Sequence, residues 1–538
     1  MGAAGIHSIE LIVLLLLILV VALAALANRL QVPYPIVLVI GGLLLSLVPH
    51  VPRIELNPEM VFLIILPPLL FSSAFATSWR DFRYNLMSIA LLAFGLVGFT
   101  VFGVAAASRF ILPHFDWRMG LVLGAVVSTT DAIAASSIAH RLGLPKKIVD
   151  VLEGESLVND ATGLLALEFA IALLVPGRTL GIAEGIGRLL YLVFGSIALG
   201  LIAGRVIRFF ELKIVNAPIE IAMSLIAPYF AYLIAEYARA SGVMATVACG
   251  LYLGHQSSLF LSRGARLSGQ AVWEMLTFVL NGCVFLLIGF QLPYAMSTIH
   301  THHLADLMLL GLTFSGVVIF LRLVWVFPGA LLSYYVRQHL FHQVESYPSG
   351  RAIFILGWTG MRGVVALAAA IALPRYLENG DPFPERGLMI FLTFCVIFVT
   401  LVLQGLTLPP LIRELGLSGA GGDHVEEHQA RLDMIKAALA YLEHSREDAP
   451  DEFAPLHDEL IRLQKRRLNA LEANSDAEQG FRPEDNERWD ELSRQVRAIQ
   501  RATVLHLRNQ NRINDEVMRR LERELDFAEA RFTPTEHA

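Results

Sequence analysis

Between residues 8 and 412 the chain falls into long apolar runs separated by short polar turns. Most runs are close to the ~20 residues that carry a helix across a bilayer. Inside lipid every backbone N–H and C=O must be satisfied within the chain, so only helices or a closed barrel can span it. The runs are continuously apolar and do not alternate, which selects helices. Composition agrees: 55% of the 538 residues are hydrophobic and 17% charged, against about a quarter charged in soluble domains. Candidate spans lie near 8–27, 33–49, 56–76, 85–110, 119–140, 147–175, 189–210, 218–238, 241–255, 270–293, 303–335, 350–374 and 386–412. The expected fold is an all-α polytopic membrane protein of about thirteen transmembrane helices, with inverted repeats, two crossing broken helices and a helical cytoplasmic tail.

Orientation follows from the short loops. Arg29, Arg80, Arg83, Arg141, Lys146, Lys147, Arg205, Arg208 and Lys213 fall on one side, and Asp116, Glu378, Asp381 and Glu385 on the other. The positive-inside rule puts the first set in the cytoplasm. The protein is then a multi-pass protein of the cell inner (plasma) membrane, with its N-terminus outside and its tail inside. The domains expected are a transmembrane unit over 1–417, a Gly/Ser-rich hinge over 418–424 and a helical C-terminal domain over 425–538. Within that last domain, 425–448, 455–473 and 484–530 have helical spacing. The tail packs on itself or on a second copy, with a regulatory sensor as the sharper alternative. Cys249, Cys283 and Cys395 sit in apolar runs and have no metal or disulfide spacing. No phosphate loop or dinucleotide fingerprint occurs, so no cofactor and no nucleic-acid partner is expected.

Two spans are unsuited to plain helices. The fifth carries Ser128-Thr129-Thr130-Asp131 at its centre, residue types that compete with the helix backbone. The twelfth carries Gly357-Trp358-Thr359-Gly360-Met361-Arg362-Gly363. Interrupted spans in corresponding positions of two halves mark a transporter site built at the repeat interface. Unwinding both would aim half-helix ends at one volume, where a carboxylate such as Asp131 and a guanidinium such as Arg362 compensate the end charges. Asp131 lies 14 residues before Pro145 and Asp160 lies 15 after it. Along helices rising 1.5 Å per residue both acids are therefore about 20 Å from the turn, at one depth. A carboxylate at mid-membrane marks function by default. Ser156 and Asp160, four residues apart, share a helix face. With a freed carbonyl near Thr130 they supply oxygens for a dehydrated cation. Glu155, paired in spacing with Asn159, needs a cation if buried. Arg362 and Arg322 are the candidates, and Arg362 is preferred.

Glu155-Ser156-Leu157-Val158-Asn159-Asp160, Thr130-Asp131 and Gly360-Met361-Arg362-Gly363 resemble the signature segments of bacterial sodium/proton antiporters of the monovalent cation:proton antiporter-1 family. Leu66-Pro67-Pro68-Leu69-Leu70-Phe71 and the run from Asn281 to Gly289 match as well. The resemblance covers residues 8–412. It implies a homodimer in which a core bundle moves against a dimerisation domain. It also implies that Asp160 binds ion and proton, that Ser156 and the Thr130 backbone are ion ligands, and that Asn159 orients the site. Asp131 then serves the crossing helices, and Glu155 pairs with Arg362. Many relatives carry an acid after the Pro-Pro run, where this chain has Ser72-Ser73, so a ligand from that span is not carried over.

The activity so implied is exchange of a monovalent cation, Na+ first and Li+ or K+ as alternatives, for H+. A potassium/proton antiporter or K+ efflux system is the nearer rival, although a nucleotide-binding tail of the usual kind is absent. An intramembrane aspartyl protease needs two carboxyls sharing a proton and a Gly-x-Gly-Asp signature that this chain lacks. Stoichiometry follows from the residues available. The position before Asp160 is Asn159, and the lysines (Lys146, Lys147, Lys213, Lys436, Lys465) all avoid mid-membrane. One proton is expected to exchange for one cation, electroneutrally. His140, His255, His300, His302 and His303 are read as solvated loop residues or pH sensors.

Overall fold

The computed structural model describes residues 3–48, 58–112, 115–174, 182–214, 216–297, 304–340, 349–377 and 381–417 of the apolar region, with isolated positions between them. Beyond it, the model describes 423–447, 453–473 and scattered positions from 496 to 521. Contacts divide the chain into two compact units, Met1–Gly421 and Gly422–Ala538. Residues 418–422 of the expected hinge, His300, His302 and His303, and most of 484–530 lie outside the described residues.

The first unit is helical throughout its described length: α1 (Ala3–Leu30), α2 (Tyr34–Ser46), α3 (Pro58–Ala76), α4 (Leu86–Ile111), α5 (Trp117–Val126), α6 (Ile133–Leu142), α7 (Lys146–Leu174), α8 (Gly187–Glu211), α9 (Ala217–Tyr237), α10 (Gly242–Phe260), α11 (Arg263–Phe290), α12 (Leu304–Leu340), α13 (Gly350–Trp358), α14 (Val364–Ala372) and α15 (Arg386–Glu414). Among the described residues eight helices are long and apolar enough to cross a membrane, and three shorter apolar ones accompany them. That tally does not reproduce thirteen spans: two expected spans are each divided into short pieces, α1 and α2 count among the shorter helices, and α10 is not among the eight. The boundaries have local causes. Gly143 takes a left-handed turn (φ 64) before Pro145 and the start of α7. Arg239 (φ 55) breaks α9 from α10, whose first turn is capped by the Ser241 hydroxyl accepting the Met244 N–H at 3.3 Å. Asp116 and Ser349 accept N–H groups at the starts of α5 and α13, at 2.7 and 3.2 Å.

Each broken helix follows three continuous helices and precedes a long one: α5/α6 after α2, α3 and α4, and α13/α14 after α10, α11 and α12. The breaks lie at the centre of the unit. Gly120–Thr130 and Thr359–Ile371 are buried without interruption, and α15 packs over α14. Four π-helical turns, at Val61–Ile65, Leu91–Leu96, Tyr191–Gly195 and Thr400–Gln404, interrupt α3, α4, α8 and α15.

The second unit contains α16 (Asp423–Glu447) and α17 (Ala454–Ala473), which pack on each other through Leu432, Leu439 and Ile461. Lys465–Glu443 (2.9 Å) and Arg446–Asp458 (2.8 Å) bridge the pair on the surface.

Helices α2 and α11 approach backbone to backbone. A Cβ on Gly42 would collide with the Leu286 carbonyl, and one on Gly289 with the Val39 carbonyl and the Leu43 nitrogen. Overpacking against backbone costs about 1–3 kcal/mol or more. Gly289→Ala should therefore lower the thermal unfolding midpoint of the purified protein and the yield of monodisperse material. Gly316→Ala, where a Cβ meets nothing within 4 Å, should leave the midpoint unchanged or raise it, since alanine favours a helix over glycine by about 1 kcal/mol. Equal midpoints for the two variants would count against this close approach.

Candidate ion-exchange site

The two breaks touch through the main chain. The Asp131 N–H donates to the Met361 carbonyl at 2.8 Å. Such a crossing leaves helix ends deep in a protein without water, and each end must find a partner. At the carbonyl end of α5, the Arg362 guanidinium donates from Nη1 to the Ser128 and Thr129 carbonyls at 2.6 and 3.0 Å. The carbonyl end of α13 is met by Arg322, from the middle of α12. It donates from Nε to Gly357 O (3.1 Å) and from Nη2 to Leu356 O (3.2 Å). At the amide ends the sign reverses. Asp131 Oδ1 accepts the Ile133 N–H at 2.9 Å at the start of α6. Its carboxylate also lies against Gly363, where a Cβ would overlap it, at the start of α14. Charges of each sign thus stand where the helix dipoles favour them.

Helix α7 brings the remaining residues to this crossing. The Ser156 hydroxyl donates to the Thr130 carbonyl at 3.0 Å and accepts the Ala132 N–H at 3.3 Å. Asn159 Nδ2 donates to Thr130 Oγ1 at 2.9 Å, and that hydroxyl in turn donates to Glu155 Oε1 at 3.2 Å. Asp160 is buried one residue on, at 6% exposure, and its Oδ1 has no hydrogen-bond partner. Oδ2 of Asp131 and Oδ1 of Asn159 are also buried and unpartnered. Buried polar atoms without partners are rare and call for a ligand or water. Asp160, Ser156, Thr130, Asn159 and Asp131 are thus gathered in one place. Thr162 holds α7 against α4 through the Ala93 carbonyl at 2.6 Å.

One expected contact is corrected. Glu155 pairs with Arg322 and not with Arg362: Arg322 Nη1 and Nη2 lie 2.5 and 2.9 Å from the two carboxylate oxygens, with both side chains at most 2% exposed. Arg362 is turned instead to the α5 break, where its Nη1 donates to the two released carbonyls while its Nε and Nη2 find no partner. Arg322 faces Glu155 directly and grips it as a fork. The sequence contains a signal for this role. Arg322 is the one charged residue in the thirty-residue run 307–336, where an uncompensated charge is not tolerated. Thr400 was also missed. Its hydroxyl accepts the Arg362 N–H at 3.1 Å.

Removing one partner of a buried ion pair costs about 3–5 kcal/mol. Glu155→Gln and Arg322→Met should each lower the unfolding midpoint strongly, and the double variant should recover part of the loss. Recovery stays partial because Arg322 also serves two carbonyls. Glu155→Gln combined with Arg362→Met should recover less. Stronger coupling to Arg362 than to Arg322, measured as the non-additive part of the midpoint shifts, would reverse this assignment.

The chain is similar to known proteins over most of its length. Residues 15–414 match the family model described as sodium/hydrogen exchanger, transmembrane. An uncharacterised Na+/H+ exchanger of Mycobacterium tuberculosis is 33% identical over 510 residues, covering 94% of this chain and 92% of that protein. The Escherichia coli protein YjcE, also an uncharacterised Na+/H+ exchanger, is 29% identical over 518 residues, covering 93% and 94%. A sodium, potassium, lithium and rubidium/H+ antiporter of Bacillus subtilis is 31% identical over 421 residues, covering 76% of this chain and 62% of its own. Among solved structures, the sodium proton antiporter MjNhaP1 of Methanocaldococcus jannaschii shares the fold, with a TM-score of 0.61 at 19% identity, covering 76% of this chain and 99% of that one. The chain therefore belongs to the transmembrane sodium/hydrogen exchanger family.

Proposed function

We infer that the protein is a secondary active antiporter that exchanges Na+ for H+ across the plasma membrane, and that Asp160 is the carboxylate that both ions use in turn. The observation that carries this reading is the buried, unpartnered Oδ1 of Asp160 beside two broken helices whose end charges are already compensated. A site that must take up and give up a cation needs a charge that the rest of the protein does not neutralise. Glu155 is committed to Arg322, and Asp131 to the amide end of α6, which leaves Asp160 for the transported ions. Ser156 Oγ and the Thr130 carbonyl are the cation's further oxygens, and Asn159 orients Thr130 toward them. A proton on Asp160 excludes the cation and the reverse, so neither returns unexchanged. The family is one of transporters, and no chemical transformation of a substrate is part of this reading.

The remaining elements of the proposal are a homodimer, a cytoplasmic tail attached through the Gly-rich hinge, and an N-terminus outside the cell. They rest on the loop charges and the family resemblance. The Bacillus relative's name includes potassium and lithium, which makes K+/H+ exchange the second reading. Substituting K+ or Li+ for Na+ in the flux assay decides between them.

In proteoliposomes with an internal pH dye, Asp160→Asn should reduce Na+-dependent proton movement to the level of empty vesicles, with the protein still folded. Exchange retained by that variant would overturn the assignment. In the wild type, an imposed membrane potential should leave the exchange rate unchanged. The lysines among the described residues of the first unit are Lys146, Lys147 and Lys213, all at helix ends, so none stands beside Asp160, and Asp131 is held at the amide end of α6. A rate that follows voltage, or a current that follows the sodium gradient, would make Asp131 a second proton carrier.

A further inference from the structure

Away from the crossing, two more carboxylates are taken out of water. Glu211, the last residue of α8, is 2% exposed, and Glu220, in the first turn of α9, is 0% exposed. They flank the short connection between those helices, and both line a cavity of 480 Å3 walled by α3, α8, α9, α10 and α11. Glu220 Oε2 accepts the Ser262 N–H at 2.8 Å at the start of α11. Its Oε1 and the Oε2 of Glu211 are buried with no partner.

The arginines nearby do not pair with either glutamate, although Arg208 Nε is itself buried without a partner. Arg266, on the cavity wall, donates Nη1 to the Leu261 carbonyl at 2.7 Å, and Arg208 reaches the Tyr252 hydroxyl at 3.5 Å. Among the described residues neither glutamate forms an ion pair. Ser72, Ser224, Ser257 and Thr277 add hydroxyl oxygens to the wall, the exposed Glu274 adds a carboxylate bonded by Gln270, and no thiol or imidazole lines it. Two buried carboxylates without counter-charge cost several kcal/mol each. One divalent cation balances both, whereas a monovalent ion or a single shared proton balances one. An all-oxygen lining selects a hard cation. Mg2+ in particular keeps several waters and takes one or two carboxylates. At about 30 Å3 per water, a cavity of 480 Å3 has room for that hydration shell.

We propose that the Glu211–Glu220 cavity binds a hydrated divalent cation of the Mg2+ kind, at a structural site separate from the transport carboxylate. Such an ion ties the α8–α9 corner to α3 and α11, and its occupancy does not require exchange at Asp160.

The test uses the full chain in nanodiscs, stripped with a chelator and kept free of Na+, with ionic strength held by choline chloride. Millimolar MgCl2 should raise the unfolding midpoint by about 3 °C in the wild type and equally in Asp160→Asn. That second response separates this site from the transport reading, since it must persist where exchange is lost. Glu211→Gln and Glu220→Gln should lose the rise. Glu211→Asp, which keeps the charge on a shorter arm, should need several-fold more Mg2+ for the same rise. If the Gln variants do not fold, the Asp variant decides, and an unchanged Mg2+ midpoint overturns the proposal. No rise in the wild type also overturns it, as does a rise kept by both Gln variants. A rise produced by acidification alone, with none from Mg2+, means that the two carboxyls share a proton, and it overturns the cation site.

Discussion

The structure depends on how helix ends are satisfied where water does not reach. Breaking two helices at one place releases carbonyls from α5 and α13 and amides at α6 and α14. The chain answers with two arginines on the carbonyl ends and one aspartate between the amide ends. Neutral partners would satisfy the hydrogen bonds but would leave the dipole ends facing each other. Full charges achieve both. They need charge balance in turn, which explains why Glu155 is held by Arg322 within the same network.

Once these groups are compensated, and with Asp131 keeping one oxygen on the Ile133 N–H, Asp160 stands out as the carboxylate at the crossing with no hydrogen bond or ion pair among the described residues. Its neighbours on α7 are tied to Thr130 or Arg322, and Thr130 itself is fixed from two directions by Asn159 and Ser156. The Thr130 carbonyl and hydroxyl are therefore both held in place by side chains of α7. Rigid support for the ligands and an unneutralised carboxylate at the centre suit a site that must release its ion as readily as it binds it.

Much of this was legible in the sequence because it violates the local rule of its surroundings. Ser128-Thr129-Thr130-Asp131 and Gly357–Gly363 are polar or glycine-rich at the centres of apolar runs, and the structure breaks there. Asn159, Asp160 and Ser156 stand out for the same reason. What could not be read is rotation. Sequence fixes which residues share a face of one helix, but not which face of α12 meets α7, so Arg322 was passed over for the more conspicuous Arg362. Glu211 and Glu220 were invisible for a different reason. They lie at span ends, where carboxylates are ordinarily solvated, and only the packing of five helices buries them. The number of crossings was obscured in part because a span split in two no longer has the length that defines a span.

The π-helical turns carry one more consequence. In three of them the widened turn presents a group to a neighbouring helix: the Ile64 carbonyl accepts from the Tyr229 hydroxyl at 3.0 Å, Leu91 and Ala93 accept from Trp325 and Thr162 at 3.3 and 2.6 Å, and Thr400 receives Arg362. Each such turn is an extra residue accommodated within a helix. Deleting one would restore the regular coil and swing everything beyond it by about 100°. In α15 that rotation would turn the buried face of Gly405, Leu408 and Ile412 away from its contacts. Helix length is therefore quantised in this protein. Substitutions along these spans are graded in effect, but a single-codon deletion within α3, α4 or α15 acts on the whole half-helix downstream. Insertions and deletions should accordingly be confined to the loops and the tail.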